Sequence, residues 1–77
     1  MLALVEHLAK SLVDHPEAVK VVAVEETPEA MTIELSVAPE DMGKVIGKQG
    51  RIAKAIRTVV KAAAVKENKK VTVEIVQ

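Results

Sequence analysis

Apolar side chains in the opening stretch LALVEHLAKSLVDH (2–15) return at helical spacing, with Leu4, Val5, Leu8 and Leu12 on one stripe and Glu6, Lys10 and Asp14 between them. That is the pattern of an amphipathic helix, and His15-Pro16 stops it, because proline lacks a donor and crowds the residue before it. VKVVAVEE (19–26) is short and rich in β-branched residues, which predicts a strand. Its inward set is either Val19 and Val21 or Val22 and Val24; a bulge would reconcile the two. After the turn residues of EETPEA (25–30), MTIELSV (31–37) alternates cleanly, with Met31, Ile33, Leu35 and Val37 on one face and Thr32, Glu34 and Ser36 on the other. So short a polar link predicts an antiparallel hairpin.

APEDMGKVIGKQG (38–50) opens a short helix that ends near Gly47: Pro39 fits the first helical position, and Glu40 and Asp41 suit the positive end of the helix dipole. RIAKAIRTVVKAAAVKE (51–67) is a long helix with Ile52, Ile56, Val59 and Ala63 on one stripe and Arg51, Lys54, Arg57 and Lys61 on roughly the opposite one. KKVTVEIVQ (69–77) closes the chain as a strand with Val71, Val73 and Ile75 inward and Thr72 and Glu74 outward. The order is αββααβ. A helical crossover between the second and third strands makes them parallel neighbours with a right-handed connection. The expected fold is α+β: a three-stranded mixed sheet covered on one face by three helices, in one domain spanning residues 1–77.

Composition narrows the function more than the fold. With 49% hydrophobic and 29% charged residues the chain has the apolar material to fold. Cysteine is absent, which excludes a disulfide framework and thiolate metal sites and makes the cytoplasm the expected compartment. No apolar run is long enough for a membrane span or a signal-peptide core. The net charge of zero hides an asymmetry: residues 1–41 hold nine acids against two bases, and residues 42–77 hold nine bases against two acids. From Gly43 to Lys66 there are seven bases and no acid, so a partner attracted there is expected to be a polyanion, whereas a bare charge run would read as a solvated helix face.

The glycines decide between those two. All three, Gly43, Gly47 and Gly50, fall within eight residues, interleaved with Lys44 and Lys48 and followed by Arg51. Gly47 and Gly50 let backbone run close to another molecule without Cβ collisions, and the amides opening the next helix are unsatisfied donors at a positive dipole end. Phosphate fits such a place. Lys48 and Arg51 add charge on either side, and Gln49 can hydrogen-bond phosphate or sugar. A site built here comprises Lys44, Gly47, Lys48, Gln49, Gly50, Arg51 and Lys54.

VAPEDMGKVIGKQGRIAKAIR, with LVDHPE at 12–17 and the αββααβ order, resembles a type II KH domain, in the form of the small bacterial single-KH-domain RNA-binding proteins. The resemblance covers all 77 residues, and its most specific piece is I-G-x-x-G followed by Arg and a helix, Ile46 to Arg51. It implies cytoplasmic binding of single-stranded RNA, with RNA chaperone activity. It also implies self-association or pairing with a larger KH partner of the KhpB type, and a link to cell-envelope growth and cell length. KH loops of this kind clamp about four nucleotides. By the same resemblance the bases lie in a groove between the two central helices and the last strand, which makes Val45, Ile46 and Ile52 candidates for its floor; for Ile52 a core role weighs equally.

With no Phe, Tyr or Trp the chain offers none of the stacking platforms worth about 1–3 kcal/mol per base, so one copy should bind weakly, and dimerisation would raise affinity through effective concentration. Other chemistry is poorly served. Gly43 and Gly47 are one residue too close for a Walker loop, and Lys48 is followed by Gln49. The G-x-x-x-G at 43–47 lacks the apolar span of a membrane-helix dimer. His7 and His15 have no third ligand, and Ser11 and Ser36 have no arranged base. No enzyme, cofactor, metal or small-molecule substrate is expected. The rival reading is a protein-interaction subunit whose basic helix meets an acidic partner, the glycine loop being only a helix–helix turn.

Overall fold

The computed structural model describes residues 1–47 and 50–76. Helix α1 spans Leu2–Leu12 and is followed by a 3₁₀ turn at Pro16–Ala18; strands β1 (Lys20–Glu26) and β2 (Ala30–Ser36), helices α2 (Pro39–Ile46) and α3 (Arg51–Lys66), and strand β3 (Lys70–Val76) complete the chain. The order is the expected αββααβ with that turn added. The sheet runs β1-β2-β3, antiparallel between β1 and β2 and parallel between β2 and β3.

Strand β2 is central and its alternation reads directly in the burial: Met31, Ile33, Leu35 and Val37 are buried, while Thr32, Glu34 and Ser36 are half-exposed on the other face. In β1 the register slips between Ala23 and Glu25, so Val24 is the extra residue of a bulge. Val19 is buried and Val21 and Ala23 are half-buried; Val22 and Val24 are 55% and 52% exposed. The inward set is thus Val19 and Val21, and the bulge does not turn Val22 and Val24 in.

The helices pack about one residue round the wheel from their most hydrophobic stripe. In α1 the buried side chains are Val5 and Ala9, with Val13 just beyond; Leu12 is 42% exposed. In α3 they are Ala53, Ile56, Val60 and Ala64; Ile52 and Ala63 are half-buried and Val59 is 41% exposed. Small alanines at 9, 53 and 64 take buried positions, while the larger Leu12 and Val59 lie exposed.

Asp41 is buried, the sole charged side chain so placed among the described residues. Its carboxylate accepts the backbone N–H of Asp14 at 3.1 Å and of His15 at 2.9 Å. It therefore fastens the start of α2 to the segment leaving α1, a role beyond the dipole complement expected of it. At the far end of α3, Asn68 takes φ +55°, and the N–H groups of Asn68 and Lys69 return to the carbonyls of Val65 and Ala64, closing the helix in a Schellman turn that leads into β3.

Candidate nucleic-acid interface

Helix α2 ends at Ile46 because Gly47 swings the backbone out to an extended ψ while its N–H still reaches the Gly43 carbonyl at 2.7 Å. A Cβ on Gly47 would lie 2.0 Å from that same oxygen, closer than any side chain can come. Gly50, at φ +65° and ψ +34°, caps α3, and its N–H closes the turn onto the Gly47 carbonyl at 2.8 Å. Space around Gly50 is open; backbone conformation sets its requirement. Gly43 meets neither demand, having a helical backbone and nothing within 4 Å of an added Cβ. Lys48 and Gln49, the centre of the expected clamp, lie outside the described residues.

The first turn of α3 holds no acid and, among the described residues, receives no side-chain cap, so the positive end of this 16-residue helix is left without a carboxylate from its own first turn. Beside it runs a groove of about 510 Å³, bounded by Ile46 at the end of α2, by Gly50, Ala53, Lys54, Arg57, Thr58 and Lys61 on α3, and by Ile75 on β3. Ile46, 55% exposed, and the half-buried Ile75 give it an apolar floor. Lys54, Arg57 and Lys61 stand on successive turns along its side, and Arg57 is held across to β3 by its Nε, which donates to the Val73 carbonyl at 3.3 Å. Among the described residues none of these three cations has an acid within ion-pair distance.

The expected site residues divide. Ile46, Gly50 and Lys54 line the groove, and Gly47 forms the turn at its mouth. Arg51 is exposed on the adjoining face of α3 beside Lys54, Ala55, Thr58 and Val59. Lys44 is exposed but engaged: its ammonium is paired with the Asp14 carboxylate, and hydrogen bond and charge together hold the Lys44 amine above and the Asp14 carboxyl below their ordinary values. Val45 has no exposed surface and packs among Val5, Ile33 and Ile56 in the core, which removes it from the groove floor. Ile52 is half-buried against that core. Ala53, Arg57, Thr58, Lys61 and Ile75 line the groove without having been among the expected site residues. The basic stripe already contained Arg57 and Lys61; the missing signal was that β3 brings Ile75 alongside them.

Comparison with known proteins agrees with this architecture. The family model described as KhpA/KhpB, KH domain, matches residues 3–75. An RNA-binding protein KhpA of Clostridium perfringens is 71% identical over 76 residues, 99% of this chain and 100% of its own length. One of Caldanaerobacter subterraneus is 64% identical over 73 residues (95% and 96%), and one of Bacillus subtilis 54% identical over 72 residues (94% and 88%). No solved structure gives a significant match.

Proposed function

The chain belongs to the KhpA/KhpB KH-domain family, a non-enzymatic one, and from that premise we propose that it binds single-stranded RNA along the groove between α2, α3 and β3, gripping the phosphate backbone at the Gly47–Gly50 turn. The observation that carries this reading is the junction of three features. A turn requires glycine at 47 by contact and at 50 by φ, an uncapped helix start lies next to it, and an apolar trough with three cations that have no acid partner among the described residues leads away from both. Phosphates meet the amides and cations; bases lie on Ile46, Ala53 and Ile75. Lys48 and Gln49 at the turn's centre complete the clamp in this reading.

The absence of aromatic residues leaves aliphatic contact and hydrogen bonds for the bases, so affinity per copy is low, which supports action as a homodimer or beside a KhpB-type KH protein. RNA chaperoning in the cytoplasm and a part in gene-expression control, envelope growth and cell length rest on family resemblance. No helix among the described residues is long and apolar enough to cross a membrane.

The test is the double replacement Lys48→Asp/Gln49→Asp. It is expected to leave the circular dichroism spectrum unchanged and to abolish binding to short single-stranded RNA. Unaltered RNA affinity would refute the clamp, and binding that ignores salt would favour the acidic-protein reading, since four phosphate contacts imply a log–log salt slope of about −3.

A further inference from the structure

A second groove begins where the first one fades. It measures about 410 Å³, runs between the C-terminal half of α3 and the first residues of β3, and shares Arg57 and Lys61 with the first groove. The two adjoin along α3 and meet at Arg57 and Lys61. Ala64, Val71 and Val73 contribute an apolar floor, and Lys69 and Lys70 add two cations at its far end. Among the described residues only Lys69 of these cations meets an acid, Glu26 at 3.5 Å. Strand β3 is a sheet edge, so the trough lies along backbone that no further strand covers, and the Arg57 contact to the Val73 carbonyl sits where the two halves join. The Schellman turn satisfies the last carbonyls of α3, which tempers the negative helix end that would otherwise repel an anion here.

Resting on the proposed RNA binding, we propose that this second trough is a further RNA subsite, in which the strand gripped at the glycine turn continues past Arg57 to Lys69 and Lys70. Length favours it. Sixteen helical residues measure about 24 Å, and a strand stacked at about 3.4 Å per nucleotide needs roughly seven nucleotides to cover them, where a four-nucleotide clamp covers about 14 Å. Charge favours it too: Lys54, Arg57, Lys61 and Lys70, which have no acid partner among the described residues, and Lys69, shared with Glu26, suit a chain of evenly spaced anions that enters from the first groove.

The experiment compares labelled random-sequence RNAs of four and eight nucleotides across a salt series, with the parent protein and with Lys69→Gln/Lys70→Gln. The longer RNA is expected to show a log–log slope steeper by about 1.4, the value of two more single-strand phosphate contacts, a difference that extra alignment registers cannot produce. The double variant should return that slope to the four-nucleotide value and leave binding of the four-nucleotide RNA unchanged, which also shows that it is folded. Equal slopes for the two RNAs in the parent, or a variant that weakens both alike, overturn the subsite while the clamp stands. If neither RNA binds the parent, both readings fall.

Discussion

Replacing each glycine in turn by alanine separates three physical demands that the sequence presents as one cluster. At Gly47 the new Cβ would lie 2.0 Å from the Gly43 carbonyl oxygen, so backbone must move by more than an ångström. The atom in the way is also the acceptor for the Gly47 N–H at 2.7 Å, and relief of the clash breaks that hydrogen bond. Overpacking of this kind costs about 1–3 kcal/mol and the lost bond about 1 kcal/mol, together about 2–4 kcal/mol. For a chain of this size that lowers Tm by on the order of 10–20 °C. At Gly50 the space is open and only the left-handed backbone matters, a cost of about 1–2 kcal/mol, with Gly50→Asn milder than Gly50→Ala. At Gly43 neither demand exists, and removing a flexible glycine from an exposed helical position should stabilise by about 0.5–1 kcal/mol. Thermal and urea unfolding of the three variants should therefore rank Gly43→Ala above the parent, Gly50→Ala below it and Gly47→Ala lowest. RNA affinity should persist in the first and fall in the last. A Gly47→Ala protein that melts with the parent and binds RNA equally would show that the turn is not held as described, and the clamp would lose its geometric basis.

Asp41→Ala leaves the Asp14 and His15 N–H groups without their carboxylate and should cost about 2–4 kcal/mol in urea unfolding at unchanged m-value; a loss below about 0.5 kcal/mol would contradict the bridging role. The Asp14–Lys44 pair sets opposite pH limits. The Asp14 carboxyl is lowered in the fold, so its contribution is present above the ordinary 3.8 and disappears as pH falls through the lower folded value. The Lys44 amine is raised, so its contribution is present below 10.5 and disappears as pH rises through the higher folded value. In an NMR titration, Lys44→Met should move the Asp14 carboxyl back up towards 3.8, and an unmoved midpoint would show that the pair does not form in solution.

The elements most legible in the sequence were those whose burial obeys a single rule. Strand β2 has one face on the core and one facing away from it, so period two determined Met31, Ile33, Leu35 and Val37 outright. The helices obey two rules at once, hydrophobicity and closeness of approach, and the second favours Ala9, Ala53 and Ala64 over Leu12 and Val59. A reading that weights apolar bulk is therefore off by a residue at each helix. Val45 illustrates the same limit within the site, since a residue next to the glycine turn can point either into the groove or into the core, and the helical phase that decides is fixed by packing.

Charge shows how folding changes what a sequence implies about binding. The chain separates acids and bases into halves, yet among the described residues the fold brings them together at two places, Asp14 with Lys44 across 30 positions and Glu26 with Lys69 across 43. Lys44, on the N-terminal side of the glycine turn, is thereby partly spent. Lys54, Arg57 and Lys61, farther along the chain, keep no acid partner among the described residues and face the trough. The effective polyanion surface has thus shifted from the loop's N-terminal flank to the body of α3. Counting bases from Gly43 to Lys66 overlooks the pairing of Lys44 with Asp14 and understates the reach of the charge along the helix. A ligand that answers to this distribution must be long enough to follow α3, and its affinity must depend on salt in proportion to how far it follows.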